Sequence, residues 1–134
     1  MRSLAIIVMP LALSAGVGVT GCTAAPAAPE DATPEYLGVE TRLLDDDLVN
    51  FRLRLRDVTD RSQIDAYARC AAAQYALIRG YGFARHLRTN VTQEGGIWRG
   101  DAVYTISAAL PRGLRTVDAE VVAADCAENG IPMV

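Results

Sequence analysis

The sequence predicts a small α+β domain: an antiparallel sheet with a helix packed on one face, in the order β-α-β-β, closed by a C-terminal helix or strand. Three observations predict it. Val49, Phe51, Leu53 and Leu55 alternate strictly with Asn50, Arg52, Arg54 and Arg56, which is the period of a half-buried strand. Directly after it, "DRSQIDAYARCAAAQYALIRGYG" changes to helical spacing. Beyond that, two β-rich stretches flank the glycines of "QEGGIWRGD", a turn signal.

Each element has a local reason. Helical spacing would scatter Arg52, Arg54 and Arg56 around a cylinder, whereas a strand lines them up on one side. The helix is expected over about 62–79. Asp60 or Ser62 can cap its start, alanine favours its centre, and Gly80 stands where a helix ends. Ile64, Ala68, Ala71, Tyr75 and Ile78 form its apolar stripe. "YGFARHLRTNV" places Tyr81, Phe83, Leu87 and Val91 at odd positions, a second strand. "DAVYTISAAL" follows as a third, ended by Pro111. The last segment admits two readings. Asp118 can cap a helix stopped by Asn129, Gly130 and Pro132, or "PRG" can turn the chain into a strand from Thr116 to Ala123. The capping pattern favours the helix.

At 134 residues and a net charge of −3, the chain has room for one domain. The mild acidity argues against nucleic-acid binding, which calls for a clustered positive excess. Its positive charges are all arginine, with no lysine.

"MRSLAIIVMPLALSAGVGVTGC" has a basic start at Arg2, an apolar run from Leu4 to Val19, and small residues after it, the three parts of a secretory signal. Pro10, Gly16 and Gly18 interrupt a run already short of the ~20 residues of a membrane span. Val19-Thr20-Gly21-Cys22 resembles the lipobox of bacterial lipoproteins. The resemblance implies a diacylglycerol on the Cys22 sulfur, cleavage after Gly21, and acylation of the new amine. Thr23 after the cysteine suggests sorting to the outer membrane. The expected organisation is therefore a signal peptide over 1–21, an Ala/Pro-rich solvated tether over 22–36, and one folded domain over 37–134. The location implied is the bacterial envelope, on its periplasmic side.

The cysteines bear on the same point. With Cys22 acylated, Cys70 and Cys126 remain as an even pair in an oxidising compartment, where a disulfide is the expected state. It would close a loop of roughly 57 residues, worth about 4 kcal/mol from chain entropy alone. The alternatives are two buried thiols or a redox pair, although the spacing is unlike Cys-x-x-Cys.

No catalytic residue is assigned. His86 is the one histidine; in "FARHLR" it reads as an ordinary outward-facing residue among arginines, without a visible nucleophile or orienting partner. Asp45, Asp46 and Asp47 lack the alternation and glycine of a calcium loop, so no metal is expected. Gly80 and Gly82 lack the third glycine and context of a nucleotide fingerprint, so no cofactor is expected.

The sharpest functional feature is the row Arg52, Arg54 and Arg56. Alternate residues on one strand face lie about 6.5–7 Å apart, and such a row can bind carboxylates or phosphates bidentately. Lipid headgroups, an anionic envelope polymer or an envelope protein are candidate partners. The plainer reading is a charged exposed face balanced by acids such as Asp57 and Asp60, protecting an edge strand. Arg85 and Arg88 belong to a neighbouring strand, in opposite phases of alternation. The expected function is a membrane-anchored, non-catalytic accessory or binding module. A small periplasmic enzyme or enzyme inhibitor working through the arginines, or a simple spacer, are the alternatives.

Overall fold

The alternating segment forms a central strand, and the rest of the fold is arranged around its two unlike faces. The computed structural model describes residues 21, 33–113 and 115–134. The elements are β1 (Glu35–Leu43), β2 (Leu48–Arg56), α1 (Arg61–Ile78), β3 (Phe83–Glu94), β4 (Ile97–Ser107), β5 (Thr116–Asp118) and α2 (Ala119–Glu128). The five strands form one antiparallel sheet in the order β1-β2-β4-β3-β5. The fold is α+β, as the sequence predicts. Because β2 and β3 both pair antiparallel with β4, they run parallel to each other, and α1 makes the crossover between them.

The apolar side of β2 is fully buried: Val49, Phe51 and Leu55 have no exposure and Leu53 has 1%. α1 covers this side with Ile64, Ala68, Ala71 and Ala72. Alanine there lets the helix backbone come close to the sheet, and the bulk is supplied by the sheet instead. Phe51 meets Tyr75 and Tyr104 edge-on, each with ring centroids 5.9 Å apart, the geometry aromatic quadrupoles favour. The expected apolar stripe of α1 holds as far as Tyr75; Ile78 is 65% exposed, because it sits in the last turn beyond the sheet.

Asp60 is the N-cap of α1 and forms a capping box with Gln63, which satisfies helix-start donors reciprocally. The two readings of the last segment are both realised in part. Thr116–Asp118 pairs with β3, and Asp118 then turns into an N-cap, accepting from the Val121 backbone N–H at 3.2 Å. α2 packs mainly on α1. The Cys70–Cys126 disulfide joins the two helices.

β1 has no counterpart in the sequence reading. Its register slips between Tyr36 and Gly38, so its inward residues, Tyr36 then Val39 and Thr41, do not keep period two. Gly38 has φ +126, a backbone setting open to glycine and costly to other residues. The predicted turn between β3 and β4 is a two-residue one, Gly95 and Gly96 at φ +59 and +79. Positive φ at both positions matches the twist of a tight hairpin.

Candidate functional site: an arginine pair on the open face of the sheet

No described element covers the side of the sheet opposite α1, and the strand register sorts its residues into rows. Side chains opposite one another in an antiparallel pair point to the same face. Arg56 lies between Glu35 and Ile97, and Ile97 faces Glu94. Arg54 lies between Gly38 and Arg99, and Arg99 faces Thr92. Arg52 lies between Glu40 and Asp101, with Asn90 beyond. Asn50 lies between Arg42 and Val103, with Arg88 beyond.

These rows differ sharply in charge balance. Arg56 is paired with Glu35 at 3.2 Å. Arg52 has an acid on both flanks. Arg42 reaches Glu40 at 2.7 Å and Arg88 reaches Asp101 at 3.7 Å. Asn50, only 5% exposed, fixes Asp101 further by donating to its Oδ1 at 2.6 Å. The row of Arg54 and Arg99 contains two cations and no acid, and unlike Arg42 and Arg88 these cations are not paired with acids of the adjacent row. Neither has an ion-pair or hydrogen-bond partner among the described residues. Like charges placed directly opposite each other destabilise a sheet.

A groove of about 800 Å³ runs over this row, lined by Arg52, Arg54, Arg99, Thr92 and the acids Glu40 and Asp101, together with the residues around Gly38. Gly38 matters here by what it lacks, since a Cβ built on it would meet nothing within 4 Å. The space beside Arg54 is open.

The arrangement revises the sequence reading in four places. The arginine row is real, yet its unbalanced part is the cross-strand pair Arg54–Arg99, and Arg99 was not among the expected residues. β2 is interior, so the arginines do not protect an edge. Asp57 and Asp60 do not balance the row; Asp60 is the α1 cap, its carboxyl held below the ordinary range by the Ser62 side-chain and backbone hydrogen bonds. Finally, Arg85 and Arg88 share one face. A bulge at Leu87 shifts the register between His86 and Arg88 and brings both arginines to the open side, with β4 lying between them and β2.

The same bulge relocates His86. Instead of facing outward it faces α1, opposite Tyr104 in register, with ring centroids 5.0 Å apart. Trp98 is also on the helix side, opposite Leu55 and Gln93. Neither residue joins the arginine groove. Asp45, Asp46 and Asp47 form the exposed β1–β2 turn. Among the described residues no three His, Cys, Asp or Glu side chains cluster as metal ligands would. Cys22 and the lipobox lie outside the described residues, apart from Gly21.

No solved structure matches the chain. A curated relative in Paracoccus denitrificans, described as an "Uncharacterized 26.9 kDa protein in nqo8 5'region", is 34% identical over 87 residues, which make up 65% of this chain and 34% of the relative. The chain thus spans about a third of the length of the relative it matches. A family model described as the YNQ4 C-terminal domain matches residues 36–130, well over half of the chain, and the protein therefore belongs to that family.

Proposed function

We propose that the protein is an envelope lipoprotein, anchored through Cys22, whose domain binds an anionic polymer through the open face of its sheet. The observation that carries the binding role is the Arg54–Arg99 pair: two guanidiniums in register, without an acid in their row. A repeated phosphate or carboxylate would supply the missing counter-charge and accept bidentate hydrogen bonds from either fork. Anchoring rests on the lipobox and the apolar run before it. Two or more acyl chains hold a protein at a membrane where one does not, and the Pro/Ala segment after Cys22 suits a tether.

Fluorescence anisotropy with labelled polyphosphate and poly-glutamate tests the binding role. Binding that weakens as salt screens it, and that falls at least about tenfold in Arg99→Gln, supports the reading. Equal binding by wild type and variant refutes it. Labelling with radioactive palmitate tests the anchor: the wild type takes label and Cys22→Ser does not.

A further inference from the structure

On the helix side of the sheet, remote from the arginine groove, a second cavity opens where α1, β3, β4 and β5 meet. Its volume is about 240 Å³, and Arg69, His86, Tyr104, Arg115, Thr116 and Val117 line it. Its chemistry differs from that of the groove. Tyr104 is only 3% exposed, and its hydroxyl has no hydrogen-bond partner among the described residues. The hydroxyl belongs to a residue that lines the cavity, so this donor is available to whatever occupies it.

The groups around it are held in defined states. Arg115 has φ +68, an uncommon setting for a non-glycine residue. In that conformation its carbonyl accepts the His86 backbone N–H at 3.2 Å. Its Nη1 lies 3.5 Å from His86 Nδ1. A guanidinium can only donate, so Nδ1 accepts and the ring proton is on Nε2, which donates to Thr89 Oγ1 at 2.7 Å. From α1, Arg61 donates to the Thr89 carbonyl at 2.7 Å and lies 3.7 Å from Asp65. Arg69 lies 4.0 Å from Asp125 of α2, too long to tie up its fork.

We infer that this cavity is a second binding site, for one small oxyanion bearing a single carboxylate or phosphate group, held by Arg69, Arg115 and the Tyr104 hydroxyl. The volume suits inorganic phosphate or a short carboxylic acid. Two guanidiniums provide charge, and the tyrosine provides a directed donor from the sheet. His86 reports occupancy. An anion beside it offsets the Arg115 charge and favours the imidazolium, against the opposing influences of burial and Arg61 and alongside those of Asp65 and the Arg88 backbone hydrogen bond.

The test follows the ring resonances of His86, the one histidine of the chain, in the full protein while inorganic phosphate or acetate replaces chloride at constant ionic strength. Saturable shifts are expected, with a raised His86 pKa in the saturated state. Arg115→Gln and, separately, Arg69→Gln should each weaken the response at least tenfold while the amide spectrum stays that of a folded protein. Arg99→Gln should leave it unchanged. Shifts that grow linearly without saturation overturn the proposal. So does a response lost in Arg99→Gln and retained in Arg115→Gln, which would assign the anion to the open face. Phosphate and acetate arms distinguish the two anion classes, and success here is independent of whether the groove binds polymer.

Discussion

Arg54 and Arg99 stand directly opposite each other on adjacent strands, on the exposed face of the sheet, with no acid between or beside them in their row. Such a pair lowers stability, typically by a few tenths to 1 kcal/mol. Stability and binding should therefore respond in opposite directions. Arg54→Glu creates a cross-strand ion pair and raises the urea midpoint slightly, while polyphosphate binding disappears. A lowered midpoint, or binding that persists, contradicts the role given to this pair. Arg56→Gln, which removes a cation already neutralised by Glu35, should have a smaller effect on binding than Arg99→Gln.

The Cys70–Cys126 bond closes a loop across a sequence separation of 56 residues and joins α2 to α1. Replacing both cysteines with serine should lower stability by about 4 kcal/mol. That is a large share of the total for a small domain. Urea unfolding of the oxidised wild type and the double variant measures it. The same loss should appear on reducing the wild type.

Gly100 is required by packing. A Cβ at this position would come within 2.7 Å of Ile64 Cγ2 and 3.0 Å of Leu53 Cδ1, between α1 and β2. Gly100→Ala should cost about 1–3 kcal/mol through forced side-chain and backbone shifts. Gly38→Ala also destabilises, but through its positive φ rather than through a clash, since nothing lies near its absent side chain. Pairing each glycine variant with Ile64→Ala, which removes Cγ2, separates the two causes: the double variant with Gly100→Ala should lose less than the sum of the single losses, while the double variant with Gly38→Ala should be additive.

His86 should make stability depend on pH in one direction. Burial first, then the Arg115 guanidinium, lowers its pKa below the ordinary 6.5. The unfolded chain thus takes up a proton near that ordinary value while the folded chain does not. The contribution is present in full above about pH 6.5 and is lost as pH falls through the lowered folded value. Thermal melts from about pH 7 to about pH 5 should show a steeper fall in Tm for the wild type than for His86→Gln. Equal slopes would mean that the folded ring titrates like a free one.

The elements whose causes are local were legible in the sequence. The alternation of Val49 to Arg56, the Asp60 cap, the alanine-rich helix and the Gly95–Gly96 turn each arise between neighbours a few residues apart. The Cys70–Cys126 pair was legible once Cys22 was set aside with the segment that resembles a lipobox. Bulges hid the remainder. The slip at Gly38 removed the period of β1, and the slip at Leu87 reversed the apparent faces of Arg85 and His86. A single extra residue inverts every side chain beyond it, and no local pattern announces it. The sequence by itself determined that a cationic strand face and a small α+β domain exist. Only the tertiary structure decided which cations stand unbalanced. That depends on strand order and register, which place Arg99 beside Arg54 and acids beside Arg52 and Arg56 through contacts between residues far apart in the chain.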